Sequence, residues 1–208
     1  PEATLFHDEA ALANWQAAYD YLSAREENRQ VNWDRMYYAN SIMAAEGQDA
    51  MYYLQRAHDD QLMLSLATNL QKQLSKSSSL NGGLQLATNK GMHYQTMDDL
   101  LGNAKFHNVN TYALKDYGSL SSKVFYDMNE GNEPKEVKVG DTFGYDYNIL
   151  VNKAQLWASY AQDLRYAHYF IAGRLAGTTM QRDGKMRNGM APDNSYGKSG
   201  TAKFLDNR

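Results

Sequence analysis

The sequence predicts a mainly α fold: a bundle of long helices, with a turn-rich, partly β central insertion and an extended C-terminal arm. Three observations lead there. Leu150, Ala154, Trp157, Ala161, Leu164, His168, Ile171 and Leu175 recur at alternating spacings of four and three, the pattern of one face of a long helix. Such a helix would run roughly 39 Å at 1.5 Å per residue. Met36, Met43, Ala50, Ala57 and Leu64 lie seven apart, and Met63, Leu66, Leu70 and Leu74 continue that stripe. Residues 181–208 carry almost no apolar periodicity, so they cannot build a core of their own.

Taken in order, residues 8–24 read as a first helix, with Leu12, Trp15, Tyr19 and Leu22 at helical spacing and Asp8 and Glu9 suited to its N-terminus. A turn is expected over 28–32. A longer helical block covers 33–76, interrupted near Gly47, since a mid-helix glycine costs about 1 kcal/mol relative to alanine. The run SSSLNGG at 77–83 reads as a stop. Over 84–147 the helical pattern fades. Short β-compatible runs stand at 124–126, 137–139 and 142–147, a loop composition (NEGNEP) at 129–134, and one short helix is expected at 96–101. The seam helix follows. The expected units are therefore a helical region 1–83, an irregular insertion 84–147, a long helix 148–177 completing the bundle, and an extended or disordered arm 178–208. LSLATN at 64–69 echoes LQLATN at 84–89, and two copies are too few to argue a solenoid.

The 208 residues suit one domain plus appendages, and a 43% hydrophobic content supports a core. A net charge of −3 argues against a dedicated nucleic-acid binder. Charge is uneven: residues 1–60 hold eleven acids and four bases, residues 181–208 six bases and three acids. An acidic start and a basic end suit head-to-tail contact between subunits, or contact of the tail with a polyanion. Without cysteine there is no disulfide framework, Cys-ligated zinc or thiol catalysis. Residues 1–7 lack the features of a signal peptide, and no 18-residue apolar run exists. Synthesis in the cytoplasm and no stable membrane span are the expectations.

Candidate chemistry is sparse. His7–Asp8 and His58–Asp59–Asp60 contain His-Asp pairs, a ligand combination used by some metal-dependent phosphohydrolases; the competing reading of His58 and Asp59 is a polar helix face. Glu-x-x-His, needed by carboxylate-bridged di-iron bundles, does not occur. Neither do G-x-S-x-G, a P-loop or G-x-G-x-x-G. No catalytic, cofactor-binding or metal-ligating residue is therefore assigned, and no cofactor is expected. His168 reads as a core or interface histidine. The sixteen tyrosines, apolar in body and polar at the tip, suit partly wet interfaces.

In organisation, the helices read at 33–76 and 149–176 together with the tail GKMRNGMAPDNSYGKSGTAKFLDNR resemble virion proteins of tailed bacteriophages. The likeness is to internal, ejection and head–tail proteins of short-tailed phages. It implies a non-enzymatic assembly subunit of a virion, with a role in DNA ejection. Its partners would be further copies, other structural subunits and, through the basic tail, packaged DNA. The expected interface residues are Trp157, Leu164, His168, Ile171, Met190, Tyr196, Phe204 and Leu205, the last four anchoring the arm on a neighbour. A bacterial effector or adaptor, and a small metal-dependent hydrolase using His58 and Asp59, are the alternatives.

Overall fold

The chain folds as an antiparallel β protein, not a helical bundle. The computed structural model describes residues 9–119, 121–129, 131 and 133–208. Its element order is α1 (Glu9–Ala24), α2 (Trp33–Ala45), β1 (Leu54–Ser75), β2 (Ser78–Asp99), α3 (Thr111–Tyr117), β3 (Thr142–Leu164), β4 (Ala167–Gly184), β5 (Gly197–Lys198) and β6 (Ala202–Asn207). The two stretches read as long helices are in large part strands. Of 33–76, only α2 is α-helical and β1 takes the second half. The seam at 148–177 is divided between β3 and β4. The short helix expected at 96–101 falls on the end of β2.

The four long strands have 22, 22, 23 and 18 residues, against a usual 3–10. At about 3.3 Å per residue the longest run to roughly 75 Å. They pair antiparallel in the order β1-β2-β3-β4, with β6 folded back along β4. The tips are two-residue turns, Lys76–Ser77 and Arg165–Tyr166. Gly82 and Gly83, read as part of a stop, lie inside β2. The indole of Trp157 lies over Gly83 from the neighbouring strand, and a Cβ there would come within 2.6 Å of its Nε1. The six-residue echo turns out to face itself: Leu64 pairs with Thr88, Leu66 with Leu86 and Thr68 with Leu84.

A compact base holds the near end of these hairpins. Met97, Leu100, Phe106, Val137 and Phe143 are buried there with Ala50, and Tyr53 packs on them. Ala113, Val124 and Phe125 form a second small core beneath α3. Asn40 of α2, fully buried, ties the base together. Its Nδ2 donates to the carbonyls of Tyr52 and Leu100 (both 2.7 Å), and its Oδ1 accepts from the amides of Met51 (2.9 Å) and Tyr52 (3.0 Å). The apolar stripe of α1 (Leu12, Trp15, Tyr19, Leu22) remains exposed, with Trp15 stacked on Tyr19.

The C-terminal segment, expected to be ordered only on other subunits, is ordered on its own chain. Backbone bonds join Lys185 to Asp146, Gly189 to Phe125, and Met128 to Arg187. β6 then pairs Ala202–Asn207 with Leu175–Met180 of β4. The tail's main-chain groups thus gain β and turn partners within the chain, which offsets the ordering cost of its glycines. No helix among the described residues is long and apolar enough to cross a membrane.

Candidate assembly surface

Beyond the base, the four strands project as a blade with solvent on both faces. No residue of β1 is buried. Side chains alternate between faces along a strand, and the register stacks them into rows. One face carries Leu70–Gly82–Ala158–Gly173, then Thr68–Leu84–Leu156–Leu175, then Leu66–Leu86–Ala154–Gly177, then Leu64–Thr88–Asn152–Thr179. We call it the leucine face. The other carries Asn69, Gln71, Asn81, Gln85, Gln155 and Ser159 among small residues, together with Met63, Val151, Lys153, Trp157, Arg174 and Met180, and we call it the amide face.

Leu62, Leu64, Leu66 and Leu70 are each about two-thirds exposed (65%, 71%, 66% and 65%). From Lys72 to Leu62 the leucine face extends roughly 34 Å along and 19 Å across the strands, about 650 Å² in outline. The largest apolar patch of an ordinary monomer is about 300–600 Å². A shallow groove of about 610 Å³ lies between Leu64, Leu66, Leu86 and Ala154. Polar groups within the face are satisfied laterally: Thr88 donates to Asn152 (2.8 Å), and Asn152 donates to Thr179 (3.4 Å).

The edges are as unusual as the faces. β1 is the outermost strand along its whole length. From Gln61 to Gln71 it has neither charge nor proline, the devices that normally block strand addition. On the opposite side, β6 covers Leu175–Met180 but leaves the tip of β4 bare.

The expected interface residues lie on the surface but not on one seam. Leu164, Ile171 and Leu205 are on the leucine face, whereas Trp157, His168 and Phe204 are on the amide face. Trp157 is half-buried rather than core, and Leu164 is exposed. His168 pairs through Nδ1 with Asp163 (2.5 Å) near the β3–β4 tip, exposed rather than in a core. Met190 is exposed, and Tyr196 lies beneath the Arg187 guanidinium. Sequence reasoning missed Leu80, Leu84, Leu86 and Leu156. The alternation Leu80, Gly82, Leu84, Leu86 was the available signal, masked by the glycine pair at 82–83, which reads as a stop.

His58 and Asp59 do not sit on a polar helix face. They are neighbours on β1 and so point to opposite faces. His58 meets Thr96 (3.0 Å) and stacks on Tyr94, while Asp59 meets His93 Nδ1 (2.7 Å). One ion cannot take both as ligands. Among the described residues no group of three or more His, Asp or Glu is placed to hold a metal; His7 and Asp8 lie outside them. A cavity of about 380 Å³ at the base is lined by Tyr53, Tyr112, Tyr126 and Tyr145. Burial pushes the Tyr53 and Tyr126 hydroxyls up, so they stay protonated. Its lining holds no carboxylate, histidine or lysine.

Where strands meet base, Asp183 accepts from Lys185 Nζ (2.7 Å). That bond holds the carboxyl below its ordinary range and raises the ammonium. Asp146 is pushed the other way, by burial. The tail is engaged within the chain at several of its charged groups. Arg182 donates to the carbonyls of Ser195 and Asn194, and Arg174 pairs with Asp206.

Comparison with known families, curated proteins and solved structures returns no match.

Proposed function

We propose that the protein is a structural subunit that assembles with copies of itself, joining blades edge to edge: β1 of one copy beside β4 and β6 of the next. The observation that carries this is the bare, uncharged edge of β1 on a sheet with neither face covered. Strand addition would satisfy the open main-chain groups of β1, and repetition around a ring would remove every free edge. Assembly runs through strands, in place of the helix packing expected from sequence. The narrower reading, a virion component of a short-tailed phage, loses the long helices on which the likeness rested, and finding the chain in a particle would restore it.

The test is the mass of the full chain by analytical ultracentrifugation, in buffer and in mild detergent. A discrete oligomer is expected. Because the chain has no cysteine, Ser65→Cys and Ala172→Cys on the two edges give clean reporters, and the double variant should cross-link between subunits. A monomer at micromolar concentration in both solvents, or an unbounded series of sizes, would overturn the closed assembly.

A further inference from the structure

The geometry points to a lipid bilayer as the occupant of the leucine face: in the assembled ring, the blades close into a membrane-spanning β-barrel with leucines outward and the amide face lining the lumen. This rests on the edge-to-edge assembly proposed above, and four observations on the blade carry it further.

The first is height. Between the row Lys72–Leu80–Tyr160–Ile171 and the row Leu62–Lys90–Leu150–Gln181 lie ten residue steps. That is roughly 34 Å along the strand, or about 24–28 Å when strands tilt at 35–45°. The outward apolar band of membrane barrels is about 25 Å tall, spanned by strands of about 9–11 residues. The second is charge. Between those two rows no charged side chain of β1–β4 lies on the leucine face; Lys72 and Lys90 stand at its two margins, and β6 adds one charge, Lys203 opposite Thr179, one row inside the margin nearer the base. Lysine at such a margin reaches the headgroups with its ammonium while its stem stays apolar. Below Lys90 the face turns polar at once, with Asp60, Asn148 and Asp183 in the next row. The third is the flanking aromatics. Tyr160 and Tyr169 stand towards the tip and Tyr94 towards the base on this face, the interfacial positions that tyrosine favours. The fourth is polar satisfaction. Asn152, inside the band, is bonded to Thr88 and Thr179 on either side, and main-chain groups between neighbouring strands of β1–β4 are paired along the ladders, leaving the outer edge of β1 and the tip of β4 for the edge-to-edge joining to pair, as a hydrocarbon environment requires.

A second copy stacked face to face fits less well. Either two-fold arrangement brings Lys72 or Lys90 of one blade towards a lysine of the other, and no carboxylate lies on this face between the two rows to pair with them. The row Leu70–Gly82–Ala158–Gly173 has a single large side chain, which leaves gaps between two rigid sheets but is filled by mobile acyl chains.

The experiment uses the full chain with vesicles of phosphatidylcholine and phosphatidylglycerol enclosing a self-quenched dye. Single cysteines carry an environment-sensitive fluorophore at Leu84, Gln85, Leu86 and Ala87 in turn. The expected result is flotation with the vesicles, dye release, and a period-two pattern: Leu84→Cys and Leu86→Cys labels quenched by a lipid-borne quencher, Gln85→Cys and Ala87→Cys labels by aqueous iodide. Leu84→Arg, at the middle of the band, should lower dye release about tenfold or more while the base keeps its thermal transition. An oligomer that leaves vesicles intact and shields the Leu84 and Leu86 labels from both quenchers would overturn the bilayer in favour of a second copy, with assembly itself standing. Vesicle binding without alternation would also overturn it, as surface adsorption. Failure to oligomerise under any condition is distinguishable, because it removes the edge-to-edge assembly first.

Discussion

Leu66→Ala separates the two parts of the molecule. Leu66 stands in the middle of the leucine face with 66% of its surface in solvent. Truncation therefore removes little packing in an isolated subunit, and its stability should change by no more than about 0.5 kcal/mol, as for an ordinary surface position. Edge-to-edge joining alone would leave the same side chain exposed, whereas insertion into a bilayer, as proposed above, takes it out of water. Full burial of leucine is worth about 1.5–3 kcal/mol; with two-thirds of it still to be buried, the loss should be about 1–2 kcal/mol per subunit. That is a factor of about 5–30 in each subunit's partition into vesicles. Met97→Ala is the control. Met97 is 1% exposed in the base core, so its truncation should cost about 2–5 kcal/mol in the subunit itself. The assays are urea unfolding of dilute protein and partition of the full chain into vesicles of phosphatidylcholine and phosphatidylglycerol. A Leu66→Ala protein that unfolds more than 1.5 kcal/mol more easily when dilute (about three times the surface-site allowance), yet partitions into vesicles normally, would refute the division into a folded base and a separate blade.

Three further outcomes follow from the base. Asn40→Ala removes the partners of two carbonyls and two amides and should cost about 3 kcal/mol or more in urea unfolding, given about 1–3 kcal/mol for each buried group left unsatisfied. Gly184→Ala would place a Cβ 1.7 Å from the Ser195 carbonyl oxygen, so it should release the 185–199 segment to limited proteolysis while leaving the first hairpin protected. The two carboxylates at the junction should respond to pH with opposite signs. Asp183, held low by Lys185, contributes stability that is present above the ordinary carboxylate value of about 4 and is lost as pH falls through its lower folded value, so Asp183→Asn should flatten the melting curve in that acidic range. Asp146, pushed up by burial, is more stable protonated, so stability contributed there rises as pH falls from neutral. Asp146→Asn should raise Tm at neutral pH, with the gain gone at about pH 3, where both proteins are uncharged at this site.

How far the sequence reaches can be judged from particular residues. The alternation Leu62, Leu64, Leu66, Leu70, Leu74 is a strand pattern, but Leu66, Leu70 and Leu74 also stand four apart, and leucine and alanine are good helix formers. In β3 the helical reading joined Leu150, Ala154 and Leu164 to Trp157 and Ala161, which the pleat sends to the opposite face. The turns gave no warning. Two-residue hairpin loops normally advertise themselves with Asn-Gly or a similar pair, whereas these are Lys76–Ser77 and Arg165–Tyr166. The helices α1 and α2 and the short strand run near 142–147 were legible because caps, acids and alternation there agree with one another.

By itself, the sequence determined a chain with an apolar surface to bury, no disulfide, and no recognisable catalytic constellation. Those properties follow from composition and spacing alone. It also determined that surface as a stripe, since a repeating apolar pattern makes a one-sided element in a helix or a strand. Tertiary structure decided which kind of element that is. Leucines at mixed spacings of two, three and four satisfy both periods, and only pairing across the sheet, with Leu66 opposite Leu86 and Leu84 opposite Leu156, selects the strand. That pairing is non-local, so no window of sequence contains it.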